Sequence, residues 1–240
     1  MCSNYTPSKR EVLGPHFHVD APASDWKEEA WPGYLAPIIR LADDGSGELA
    51  CEAACFGMVP HWADLKLSRH TYNARSETAA SKPSFRHAYA KRQLCIIPAE
   101  SIFEPNYESG RAVRWKIARD DDEPMGIAGL WEWRPNGGPE DRPLLSFTML
   151  TINADHHPLM RRFHRPEDEK RMVVVLEPAQ YLPWLTAGGD AIPDFLRPYP
   201  AQQLKAEAAP RATAARKAAT PKARPASHPS PRPLWDEDGE

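Results

Sequence analysis

The cysteine at position 2 carries the most reactive chemistry in this chain. A small residue there permits removal of Met1, by an aminopeptidase or by the protein itself. Removal leaves a terminal 1,2-aminothiol. Its amine (pKa ~7.7–8.0) and thiol (~8.5) are both partly nucleophilic near neutral pH. An aldehyde meets such a group in two steps: the amine forms an imine, then the thiol closes a five-membered thiazolidine ring. An amide carbonyl would be attacked by the thiol alone. Taken by itself, Cys2 leaves both chemistries open, together with an incidental cysteine.

Three further places carry polar chemistry. Asn73-Ala-Arg75-Ser-Glu77-Thr78 precedes a helical stretch. The Asn73 amide can hold an amine or a carbonyl, and Arg75 can grip a phosphate with two parallel bonds. The same residues would also serve as a capping turn, with Ser76 or Thr78 as cap. Glu104 directly follows the apolar run Ile96–Phe103. A carboxylate placed there is expected to be partly desolvated, which suits it to acid–base work. The segment from Thr151 to Arg165 holds Asn153, His156, His157, Arg161, Arg162 and His164. Its histidines lack His-x3-His spacing and no Cys-x2-Cys pair exists, so neither a metal site nor a cofactor is expected. A general acid–base histidine flanked by arginines fits the segment better.

The elements that must position these residues read as strand-rich. Val113, Trp115 and Ile117 alternate with Arg114 and Lys116, the period of a half-buried strand. Ile38–Leu41 and Glu48–Val59 flank a glycine-bearing turn, and Met125–Trp133 and Leu144–Thr151 flank another. Gln93–Ile97 and Arg171–Leu176 are apolar runs of strand length. Helices are expected only around Thr78–Arg92, interrupted by Pro83, and at Pro178–Leu185. Strands do not alternate with long helices, so an α+β domain with a mainly antiparallel sheet is favoured over a doubly wound fold.

Composition sets the limits. Apolar residues form 41% of 240, enough for a sizeable core, and the 26 prolines are about twice the usual share of roughly 5%. No apolar run reaches the ~20 residues of a membrane helix, and the polar N-terminus has no secretory h-region. Four cysteines, at 2, 51, 55 and 95, make no disulfide framework, so a reducing, cytoplasmic setting is expected. The net charge of −3 does not itself argue for nucleic acid; a local basic patch would be needed. From Ala201 to Trp235 there are seven basic residues against one acid, with many alanines and prolines and few large apolar side chains. Such a stretch cannot offset its ordering entropy. The expected organisation is one domain over residues 1–195 and a disordered basic tail over 196–240.

The order of motifs resembles the SOS response-associated peptidase family of abasic-site-processing proteins. The matching features are Met1-Cys2, Ala36-Pro37, Phe56-Gly57 with Pro60-His61-Trp62, and Asn73-Ala-Arg75-Ser-Glu77-Thr78. They continue through Ile97-Pro98-Ala99, Phe103-Glu104, Ala128-Gly-Leu-Trp-Glu132, Thr151…Ala154, His164-Arg165 and Arg171-Met172. The resemblance implies a barrel-like β core, a positively charged groove for single-stranded DNA, and a thiazolidine crosslink between Cys2 and the ring-opened sugar of an abasic site. It implies that Asn73 positions the amine. Glu104 would serve acid–base steps and Met1 removal, and His164 would assist ring opening or imine chemistry. DNA contacts are implied for Arg75, Trp62, Pro37, Thr151, Arg161 and Arg162. Lyase and self-processing protease activity could accompany the crosslink, in a monomer acting in the SOS response, on the nucleoid when DNA-bound. Ser3-Asn4 stands where the family usually has Gly-Arg, and Pro105-Asn106 where a Trp usually follows the glutamate. Two other readings stay open: an N-terminal-nucleophile amidohydrolase, and a non-catalytic DNA-binding scaffold using the basic tail.

Overall fold

The computed structural model describes residues 2–211 of the chain. In order, the strands are β1 (Tyr5–Pro7), β2 (Leu35–Leu41), β3 (Leu49–Phe56), β4 (Asn73–Arg75), β5 (Leu94–Asn106), β6 (Val113–Arg119), β7 (Met125–Arg134), β8 (Leu144–Asn153), β9 (Arg171–Val173), β10 (Val175–Leu176) and β11 (Leu204–Ala208). Five short helices flank them: α1 (Arg10–Phe17), α2 (Ser76–Ala79), α3 (Arg86–Ala90), α4 (Tyr181–Leu185) and α5 (Ile192–Phe195). Strands β2, β3, β8, β7 and β5 pair in a ring, because β7 joins both β8 and β5. The core is therefore a closed five-stranded barrel, mainly antiparallel, with the remaining strands added outside it.

Apolar side chains pack against both faces of the ring. Ile38, Ile96, Ile127, Leu130, Phe147 and Met149 are each no more than 1% exposed. Burial of this kind contributes about 1.5–3 kcal/mol per side chain. Gly129 lets β5 and β8 approach β7: a Cβ there would lie 2.4 Å from Ile97 Cδ1 and 2.6 Å from the Thr148 carbonyl oxygen.

Several expected elements change length. The run at Gln93–Ile97 becomes the 13-residue β5, which continues through Pro98 and Pro105. Both prolines lack only the N–H; their carbonyls accept from Ser8 N and His164 N. The stretch Thr78–Arg92 resolves into α2 and α3, on either side of Pro83. Helix α1 was not expected. It buries only Leu13 and Phe17, one i,i+4 pair, which is too little periodicity to read.

The expected disordered tail from 196 needs correction. Tyr199 is 3% exposed, and β11 pairs with β6 from Leu204↔Arg119 to Ala208↔Trp115. A strand edge satisfies the backbone of this alanine-rich segment without large side chains. The rest of the predicted tail lies outside the described residues. Among the described residues no helix is long and apolar enough to cross a membrane, and no three His, Cys, Asp or Glu side chains gather as metal ligands.

Candidate active site

The site is built on β1. Its antiparallel pairing with β5 sets Tyr5 opposite Ile102, and Phe103 N donates to the Asn4 carbonyl at 3.0 Å. That register lays the residues before β1 along the end of β5 that carries Glu104. Cys2 ends up 1% exposed, with Sγ 3.5 Å from the Asn4 carbonyl oxygen. Burial pushes its thiol well above the ordinary range, and the Glu104 carboxylate pushes the same way. Tyr72, beside Asn73, is raised by burial and then by the same two neighbours. Its ring therefore belongs to this constellation, although only its place next to Asn73 could have signalled it.

Strand β4 delivers Asn73. It runs parallel to β8 with Asn73↔Met149, Ala74↔Leu150 and Arg75↔Thr151 in register. The Asn73 Nδ2 donates to the Cys2 carbonyl at 2.7 Å, across 71 residues of chain. Its Oδ1 is buried without a hydrogen-bond partner, a vacant acceptor beside the backbone of Cys2.

The loop after β8 delivers His164. Asn106 bridges to Phe163 in strand fashion, and the Asn106 Nδ2 donates to the Arg162 carbonyl at 3.1 Å. His164 N donates to the Pro105 carbonyl at 2.8 Å. Pro105 and Asn106 thus tie the histidine loop to the end of β5. These ties hold His164 at φ +63, a left-handed conformation that non-glycine residues seldom adopt. His164 Nε2 then lies 2.8 Å from Glu104 Oε2, with both side chains buried. With Glu104 ionised, Nε2 carries the proton of that bond.

The expected DNA contacts divide. Trp62 is 55% exposed, on the turn after β3. Gly57 starts this segment at φ +110, where a Cβ would meet the Ser68 carbonyl oxygen at 2.1 Å. Arg161 is exposed, and Arg162 lies over the Trp115 ring at 5.0 Å. Trp115 faces Glu104 across β5–β6, so Arg162 borders the site. Pro37 is buried within β2 opposite Ala53, and Thr151 is 1% exposed, so neither offers a surface to a strand here. Thr151 instead holds Arg171, whose Nη2 donates to its carbonyl at 2.7 Å. Arg171 was read from the sequence as the start of a strand and a matching motif, and not as the brace of these residues. It also forks onto Glu77 at 2.9 Å through both nitrogens, so Glu77 pairs with Arg171, and Arg75 pairs with Glu169 at 2.7 Å.

A groove of about 520 Å³ opens beside His164. Its lining sets Arg161, Arg162 and Lys170 against Glu108, Asp155 and Asp168. A second groove, of about 1010 Å³, carries Lys9, Lys27, Arg114, Lys116 and Arg211 against Glu28, Glu29 and Glu100. At the other end, Asn4 accepts from Arg114 Nη2 at 2.7 Å and donates to Ala30 O and Glu29, so it anchors β1 from below.

The barrel thus buries a near-terminal cysteine within the field of a buried Glu–His pair. The family model of the SOS response associated peptidase (SRAP) proteins matches residues 1–213, and the chain belongs to that family. It is 30% identical over 217 residues to the abasic site processing protein YoqW of Bacillus subtilis, covering 86% of this chain and 91% of that one. It is 27% identical over 135 residues to the abasic site processing protein HMCES of Gallus gallus, 47% of this chain and 40% of that one. A crystal structure of a Bordetella bronchiseptica protein is 41% identical with a TM-score of 0.79, over 87% of this chain and 99% of that one. A Bacteroides thetaiotaomicron protein at 18% identity and TM-score 0.74, over 88% and 93% of the two chains, shares the fold.

Proposed function

We propose that the chain processes abasic sites in single-stranded DNA, by forming a covalent thiazolidine between Cys2 and the ring-opened sugar after Met1 is removed. The observation that carries this reading is the convergence of the Asn73 amide and the Glu104–His164 pair on a buried Cys2. The vacant Asn73 Oδ1 is a suitable acceptor for the freed amine.

The chemistry follows from the charges. A thiol raised by burial and by Glu104 is kept protonated near neutral pH, so the amine acts first. It adds to the aldehyde carbon, water leaves, and an imine forms. The thiol sulfur then bonds to the imine carbon while its proton passes to the nitrogen. One water is lost overall. The Glu104–His164 pair supplies and accepts the protons of these steps, and of opening the sugar ring. If the imine is not closed, loss of a proton from the adjacent sugar carbon expels the phosphate beyond it, which is lyase cleavage. Self-removal of Met1 would use the same carboxylate. An amide-cleaving cysteine wants a lowered thiol pKa, so the amidohydrolase reading is less well supported.

Intact-mass measurement after incubation with an abasic single-stranded oligonucleotide tests the proposal. The expected adduct is protein lacking Met1 plus oligonucleotide minus one water, stable to heat. Adduct formation by protein that retains Met1 would overturn it.

A further inference from the structure

Two of the arginines that border the site are already occupied. Arg162 donates from Nε and Nη2 to both carboxylate oxygens of Glu108, at 2.9 and 3.0 Å. Arg75 donates from Nη1 to Glu169 at 2.7 Å. Both carboxylates come from loops and remain partly open to water, Glu108 at 52% and Glu169 at 33% side-chain exposure. Each is held in place by a neighbour: Glu108 N donates to Asn106 Oδ1 at 3.0 Å, and Glu169 accepts from Asn153 at 3.1 Å and Arg171 at 2.8 Å. The guanidinium fork fits a carboxylate and a phosphate in the same way.

We propose that Glu108 and Glu169 are internal stand-ins for DNA phosphates, so that strand binding is an exchange of carboxylate for phosphate on Arg162 and Arg75. The proposal rests on the DNA reading above and adds a specificity device to it. Because the groove is balanced in charge, an intact strand gains little by lying there. Retention then depends on capture at Cys2 rather than on phosphate attraction. The protons of Glu108 and Glu169 take no part: Arg162 holds Glu108, and Arg171 holds Glu169, below the usual carboxylate range.

Exposed pairs of this kind are weak, so each stand-in should cost a strand only about two- to five-fold in affinity. The test is fluorescence anisotropy with an intact single-stranded oligonucleotide, which cannot crosslink. Glu108→Gln carries the test, since Glu169 also braces Arg171. Asp194→Asn removes an equal charge from an arginine pair outside the groove. Glu108→Gln should tighten binding two- to five-fold, more than Asp194→Asn, and the gain should vanish when Arg162→Ala is added. Equal effects of Glu108→Gln and Asp194→Asn, or weaker binding by Glu108→Gln, overturn the proposal while leaving the DNA reading intact. Absence of binding by the wild type and every variant at low salt overturns the proposal, and absence of an adduct with abasic DNA overturns the DNA reading as well.

Discussion

Two of the glutamate–histidine pairs among the described residues differ in instructive ways. Glu104 and His164 meet at 2.8 Å, with 2% and 6% side-chain exposure. Glu132, on β7, meets His87, on α3, at 2.9 Å; its carboxylate is 5% exposed but the histidine is 42% exposed. His87 sits in ordinary helical backbone and stacks edge-on with His61 at 5.8 Å. His164 is forced into left-handed backbone by its tie to Pro105. In the open pair, water reaches the histidine and screens the contact. In the closed pair water is excluded, and the field of Glu104 reaches the Cys2 thiol. Similar residues at similar distance thus form a half-exposed contact in one place and a closed, buried pair in the other. Solvent exclusion and an adjacent nucleophile make the difference.

The largest test of that contrast is the nucleophile. Cys2→Ala keeps an α-amine and loses the thiol, so the heat-stable adduct should disappear while borohydride still traps an imine on abasic DNA. An undiminished stable adduct would place the nucleophile elsewhere. Next come the pairs themselves. Glu104→Gln and His164→Ala should slow adduct formation by roughly 10- to 10⁴-fold, whereas His87→Ala should leave the rate unchanged. Single-turnover gel assays would read this, and equal losses at His87 and His164 would end the distinction. The smallest effect concerns stability. Burial pushes the Cys55 thiol up to about 12. A thiol raised in the folded state contributes stability that is complete below its unfolded pKa of ~8.5 and declines as pH rises towards the folded value. Thermal melts should therefore fall between about pH 8 and pH 10.5, less steeply in Cys55→Ala than in the wild type.

What could be read from the sequence follows the range of each interaction. The alternation of Val113, Trp115 and Ile117 is local, and β6 lies where it predicts. The full length of β5 is not local: Pro98 and Pro105 look like breakers until Ser8 and His164 donate to their carbonyls. Cys2, Asn73, Glu104 and His164 were legible because their chemistry marks them, and the structure brings Cys2 to Asn73 and Glu104 to His164. Glu108 was not legible, because it carries no motif and meets Arg162 across 54 residues. Thr151 and Pro37 carry motifs yet are buried, which a strand's alternation does not report when both faces are covered.

The long spans that close the site also bear on its assembly at the ribosome. At roughly 5–20 residues per second, synthesis of the chain from Asn73 to His164 takes on the order of 5–18 s. During that interval Cys2 and Asn73 exist without the histidine that pairs with Glu104. Tying His164 to the far end of β5 therefore makes the closed Glu104–His164 pair a property of a chain synthesised past residue 164. A product truncated before His164 would carry Cys2 without the Glu104–His164 pair.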